Sequence, residues 1–178
     1  MQEKLTFQIS KANELAPNDR LELIELCTAA YEEAFDHLFD SLPDSTHIIA
    51  RLGNEIVSHA AWVTRWLQPE GVPELRTAYI EAVATLPRYQ GQGFGSAVMR
   101  KLVPLINDYE LGALSPSYSA FYARLGWELW QGSLFIRTAA GLVASPADEE
   151  VMIMRLPQTP ALDLRAALSA EWRAGELW

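Results

Sequence analysis

Apolar and polar positions along the chain fall into short, well-separated patterns, and the clearest lies near the middle. From Arg76 to Thr85 they alternate with period 2, setting Tyr79, Glu81 and Val83 on one face and Ile80, Ala82 and Ala84 on the other, which predicts a strand. Leu86-Pro87 stops it, because proline offers no ladder donor. Gly91, Gly93 and Gly95 follow and permit a backbone path that side chains disfavour. From Phe94 the apolar residues Ala97, Val98, Leu102, Leu105 and Ile106 recur at helical spacing, which predicts a helix over 96–109.

On either side the same reading gives weaker elements. Leu5 to Ile9 predicts a first strand and 11–17 a loop. Asn18 or Asp19 can cap a helix whose apolar stripe is Leu23, Ile24, Cys27, Tyr31, Ala34 and Phe35. His47–Leu52 and Ile56–Leu67 flank Gly53-Asn54, a hairpin signal, and with the 76–85 strand they predict a three-stranded antiparallel meander. Downstream, 111–115 reads as a short buried strand, and 119–127 as a short helix closed by Gly126. Strands are expected over 128–137 and 150–156 around a polar loop, 138–149, and the tail from 157 carries a short helical pattern. The sum is an α+β fold in one domain spanning 1–178: a mixed, mostly antiparallel central sheet with helices on both faces, and no repeat or linker.

Composition narrows the function. With 178 residues, 49% of them hydrophobic, the chain can bury a full core. A net charge of −9 argues against nucleic acid as a partner and suits a cationic substrate. The single cysteine, Cys27, excludes an internal disulfide and lies within the helix stripe as an inert thiol. The first ten residues lack an apolar signal core and no run is long enough to span a bilayer, so a soluble cytoplasmic protein is expected. His37, His47 and His59 are scattered without metal spacing, so no metal is expected and each reads as a structural or surface histidine.

The strand, glycine turn and helix start leave several backbone N–H groups directed at one spot, with the positive end of the helix dipole behind them. Such a site suits a phosphate. A dinucleotide fingerprint would need a third glycine where Ser96 stands, and a P-loop would need Gly-Lys-Ser/Thr. What stands there is Arg88-Tyr89-Gln90-Gly91-Gln92-Gly93, which resembles the acyl-CoA pyrophosphate turn of the GCN5-related N-acetyltransferases. The resemblance implies acetyl-CoA as co-substrate, contacted by Val83, Ala84, Thr85, Arg88, Gln90, Gly91, Gln92, Gly93, Phe94 and Gly95. Glu81, on the strand before the turn among apolar neighbours that would raise its pKa, is the natural base for the amine. Tyr122, in Phe121-Tyr122-x-x-x-Gly126-Trp127, resembles the family's second cofactor motif and implies an acid beside the sulfur. N–H groups near Val83 and Thr85 can polarise the thioester carbonyl where the strand splays from its neighbour.

Further segments, Leu111-Gly-Ala-Leu-Ser115, Leu125-Gly-Trp127, Pro146-Ala-Asp148-Glu-Glu and Trp172-Arg-Ala-Gly-Glu-Leu-Trp178, make the chain from about Arg76 onward similar to the aminoglycoside 2′-N-acetyltransferases. That similarity implies direct transfer to the 2′-amino group of an aminoglycoside in a ternary complex, an activity that confers resistance. Substrate contacts carried over are Glu81, Ser115 or Ser117, Asp148, the carboxylate of Trp178, and an acid after the first helix, for which Glu33, Asp36 and Asp40 all stand open. The two tryptophans of the tail are expected to dock it. Pro116 interrupts the serine segment, which fits a divergent branch acting on kasugamycin-like amino sugars. A homodimer is compatible with the family. Acetylation of another small amine or peptide, or acyl-CoA binding without catalysis, would use the same cofactor turn.

Overall fold

In the computed structural model, which describes residues 4–178, the alternating run Leu5–Lys11 (β1) pairs antiparallel with Thr46–Leu52 (β2). Strand β2 pairs antiparallel with Glu55–Pro69 (β3) across Gly53-Asn54, where Gly53 takes the positive φ of 55° that so tight a turn demands. Leu75–Thr85 (β4) lies beside β3, so the three strands follow one another as their patterns predict. The sheet is mixed and mostly antiparallel. The chain divides into two compact units, one running up to Val63 and including Ile80–Pro104, the other made of Thr64–Tyr79 and Leu105–Trp178. Strands β3 and β4 contribute residues to both.

In the first unit, Pro17–Tyr31 forms helix α1. Neither Asn18 nor Asp19 caps it: Pro17 takes the first helical position, where a missing N–H costs nothing, and Asp19 instead pairs with Arg51 at 2.7 Å. Glu32 ends the helix in the left-handed conformation (φ 59°), so Ala34 and Phe35 fall outside it. The Phe35 ring nevertheless stacks on Tyr31, 4.9 Å between centroids. Leu23, Leu26 and Cys27 bury against Leu38 and Phe39 of the short helix Leu38–Ser41 (α2) and against Ile49 and Ile56 of the sheet. Helix α3 covers Phe94–Leu102 and passes into a 3-10 turn at Val103–Ile106, shorter than predicted because Pro104 cannot donate to the α ladder.

In the second unit, Leu111–Leu114 (β5) runs parallel to β4, with Thr77 opposite Leu111 and Tyr79 opposite Ala113. Met152–Arg155 (β9) pairs antiparallel with β5, and Glu128–Leu129 (β6) pairs with β9. The expected strand 128–137 is broken at Gly132, where any Cβ would collide with the Ala166 carbonyl, and resumes as Leu134–Thr138 (β7). The expected polar loop holds a strand, Gly141–Ala144 (β8), paired with β7. The tail's helical pattern is overridden as well: Leu168–Glu171 is strand β10, held between β3 (antiparallel) and β7 (parallel), because two ladders outweigh a weak local preference. Ser119–Ala123 forms helix α4, followed by Gly126 at φ 91°.

Candidate active site

The first unit holds the glycine turn. Gly91 (φ 74°) and Gly93 (φ 89°) are both left-handed, and a Cβ at either would meet nothing, so conformation rather than space requires glycine there. Gly95 has no positive φ and lies in the first turn of α3, contrary to its expected share in the turn. Gly93 is the N-cap, and the Ala97 N–H is bonded to its carbonyl, so the N–H groups of Phe94, Gly95 and Ser96 have no partner within the helix. The turn is held from inside: Gln90 donates to the Thr85 carbonyl at 3.1 Å and Gln92 to the Arg88 carbonyl at 2.9 Å. Arg88 is ion-paired with Glu55, which also accepts from the Tyr89 hydroxyl at 2.7 Å. Two glycines without Cβ atoms ahead of open helix N–H groups fit a pyrophosphate.

Ahead of the turn, β4 does not keep its alternation. Its register with β5 ends at Tyr79, and Ala82 has a φ of 50°. Tyr79, Ile80 and Ala84 are buried, whereas Glu81, Ala82 and Val83 are half-buried. The carbonyls of this stretch are taken by side chains: His59 lies 2.9 Å from Ala82 O, the Tyr31 hydroxyl donates to Val83 O at 2.8 Å, and the Ser58 hydroxyl to Ala84 O at 3.0 Å. Ser58 and Thr85 also share a 2.8 Å hydroxyl contact.

Two of the three histidines come together in space, while His37 is exposed. His47 and His59 meet across β2 and β3, 2.8 Å apart, and both are fully buried. Burial holds both rings neutral, with pKa values well below the usual 6.5; Arg20 adds to this at His47, and His47 at His59, against an opposing bond to Ala82. Cys27 is buried and its thiol is pushed up to about 12 by loss of solvent, as expected of an inert cysteine. Glu33, Asp36 and Asp40 are exposed around α2, and their exposure leaves the choice among them open.

The second unit holds the remaining candidates. Tyr122 on α4 is only 7% exposed, set edge-on to Trp127, and burial pushes its phenol up to about 12. Ser115 is exposed and donates to Glu149 at 2.9 Å; Ser117 and Asp148 are exposed. Trp178 is 5% exposed, its indole donating to Ser145 at 2.6 Å, whereas Trp172 is 59% exposed, so one tryptophan docks the tail and not two.

What anchors that tail escaped the sequence reading. Arg65 is 1% exposed and donates to the carbonyls of Leu177 (2.8 Å) and Glu171 (2.9 Å), with the Glu171 carboxylate at 3.5 Å and the Tyr79 ring beneath its guanidinium. The available signal was a lone cation in the otherwise uncharged run 56–67. Tyr31, Ser58 and His59 were missed for a different reason: only the fold brings them to β4.

Residues 10–130 match the family model described as an acetyltransferase (GNAT) domain. The chain is 37% identical over 129 residues to an aminoglycoside 2′-N-acetyltransferase of Mycolicibacterium fortuitum, a match that covers 69% of this chain and 66% of that protein. Among solved structures it is similar to the GNAT family N-acetyltransferase YhbS of Escherichia coli in complex with CoA (TM-score 0.66, 16% identity, 97% of this chain and 93% of that one). It is also similar to Eis1 of Mycobacterium abscessus (TM-score 0.60, 17% identity), where 73% of this chain spans only 33% of the other. Among the described residues, no helix is long and apolar enough to cross a membrane.

Proposed function

The chain belongs to the GNAT acetyltransferase family, and we propose that within it the protein acetylates the 2′-amino group of an aminoglycoside by direct transfer, conferring resistance. Acetyl-CoA is the co-substrate of these acetyltransferases and supplies an activated thioester. The observation that carries the reading is the run from half-buried Glu81 through the left-handed turn at Gly91 and Gly93 into α3. The acceptor rests on the similarity to the Mycolicibacterium fortuitum enzyme and on the exposed acids.

In this reading the glycine turn and the first N–H groups of α3 hold the pyrophosphate, and Arg88 exchanges Glu55 for it. The N–H groups of Val83 and Thr85 polarise the thioester carbonyl. Glu81 takes the proton the attacking amine must lose, directly or through water. Tyr122, whose phenol keeps its proton throughout the neutral range, gives a hydrogen bond to the departing sulfur. Asp148, Ser115 or Ser117, the carboxylate of Trp178 and one of Glu33, Asp36 and Asp40 hold the ammonium and hydroxyl groups of the sugar.

Thiol release from acetyl-CoA in the presence of a panel of 2′-amino aminoglycosides tests the reading, with the acetylated nitrogen located by NMR. Acetylation at N2′ is the expected result. No thiol release with any member of the panel overturns it.

A further inference from the structure

Alanine disfavours the left-handed region, because its Cβ then crowds its own backbone. Ala82 nevertheless adopts it in mid-strand, between Glu81 and Val83. Such a conformation persists only where the surroundings over-determine it. Here the surroundings are the side chains of Tyr31, Ser58 and His59, which take the carbonyls of Val83, Ala84 and Ala82.

The protons of this cluster can be assigned from its partners. A carbonyl only accepts, so the His59 nitrogen facing Ala82, Nδ1, carries the hydrogen. In a neutral ring Nε2 must then accept, and it does so from His47 Nδ1 at 2.8 Å. His47 Nε2 stands 2.7 Å from Ser45 Oγ. The Ser45 hydroxyl itself donates to the Leu42 carbonyl at 2.5 Å. Cys27 Sγ, 3.9 Å from His59 Nδ1, closes the remaining side of the ring. The Ala82 carbonyl thus fixes the tautomer of the neutral His59 ring.

We propose that His59 is a positioning residue of the acetyl-transfer site: its Nδ1–H holds the Ala82 carbonyl and so fixes the left-handed turn that sets the directions of Glu81 and of the Val83 N–H. Tyr31 does the same from the next carbonyl. The kinetic part of this inference rests on the roles given above to Glu81 and Val83.

Three substitutions separate the donor from the ring's bulk. His59→Asn keeps an amide donor near the Nδ1 position, His59→Gln moves the donor to the Nε2 position, and His59→Leu removes both. Amide exchange over 80–86 is measured by mass spectrometry beside steady-state kinetics with acetyl-CoA and a 2′-amino aminoglycoside. H59Q and H59L are expected to raise exchange in this segment about tenfold and to lower kcat about tenfold, with KM for acetyl-CoA moving less than about threefold. H59N recovers most of both losses relative to H59L. Tyr31→Phe, which deletes one hydroxyl and leaves the packing, shifts exchange and kcat in the same direction. The inference is overturned if H59L exchanges like the wild type, or if H59N and H59L are impaired equally, since ring bulk and not the donor would then matter. Should the wild type acetylate no amine, the functional reading of β4 falls, while the exchange data still decide whether His59 fixes the turn.

Discussion

The Arg65 guanidinium donates to the Leu177 carbonyl at 2.8 Å, joining strand β3 to a residue 112 positions further along the chain. With its second bond to the Glu171 carbonyl, it ties the tail to β3 through one buried cation, beside the Trp178 indole on Ser145. Arg65→Met should therefore cost about 3 kcal/mol, since removing a buried charged donor leaves its acceptors unsatisfied. Urea unfolding should show a lower midpoint, and limited proteolysis should cut within 172–178 first. A tail as resistant as in the wild type would count against this role.

The glycines of the turn should respond differently from one another. Gly93→Ala and Gly91→Ala place a Cβ on a left-handed backbone in open space, so each should lose about 1–2 kcal/mol from conformation alone. Each should also weaken acetyl-CoA binding, measured by calorimetry. Gly95→Ala replaces glycine at an ordinary helical φ and should raise stability by about 0.5–1 kcal/mol. Equal losses at all three positions would contradict the assignment of the strain to 91 and 93.

Glu81→Gln removes the carboxylate of the proposed base while keeping shape. On the proposed role of Glu81, it should lower kcat about 100-fold with KM for acetyl-CoA within about threefold, because in that role the carboxylate acts on the amine and not on the donor. Tyr122→Phe should cost about tenfold in kcat, the worth of the one hydrogen bond to the leaving sulfur proposed for it. Stopped-flow thiol release separates these effects from product release, and a Glu81→Gln enzyme as fast as the wild type would remove Glu81 from the chemistry.

The buried histidine pair predicts acid sensitivity. Both rings have folded-state pKa values lowered by burial, so below about pH 6.5 the unfolded chain binds protons that the folded chain does not. Stability is thus fully present above that pH and is lost as pH falls, by up to about 2.7 kcal/mol per unit from the two rings together. Urea midpoints between pH 7 and pH 5 check this, and His47→Asn, with one titrating ring fewer, should show a shallower dependence. An identical slope in that variant would shift the cause to the carboxylates.

Raised burial of the Tyr122 phenol acts at the other end of the scale. Its folded pKa lies above the unfolded value of 10, so stability should decline as pH rises from about 10 toward about 12, and less so in Tyr122→Phe. Difference absorbance of tyrosinate during alkaline unfolding reads it directly.

The 76–102 segment was legible from sequence because its causes are local: β-branched and aromatic residues favour the strand, Pro87 ends it, left-handed glycines turn it, and helical spacing carries it on. The hairpin at Gly53-Asn54 and the glycine after α4 were legible for the same reason. Strand β10 was not, since Leu168 to Glu171 owe their extended form to β3 and β7, which lie far away in sequence. Nor was the turn at Ala82: alanine by itself argues against a left-handed backbone, and only the carbonyl partners brought by α1 and β3 reverse that preference. The sequence by itself determined the strand, the glycine turn at Gly91 and Gly93 and the helix that follows. Tertiary structure alone decided how the strand bearing Glu81 is bent and what pins the tail, because both depend on hydrogen bonds between residues that local pattern never places together.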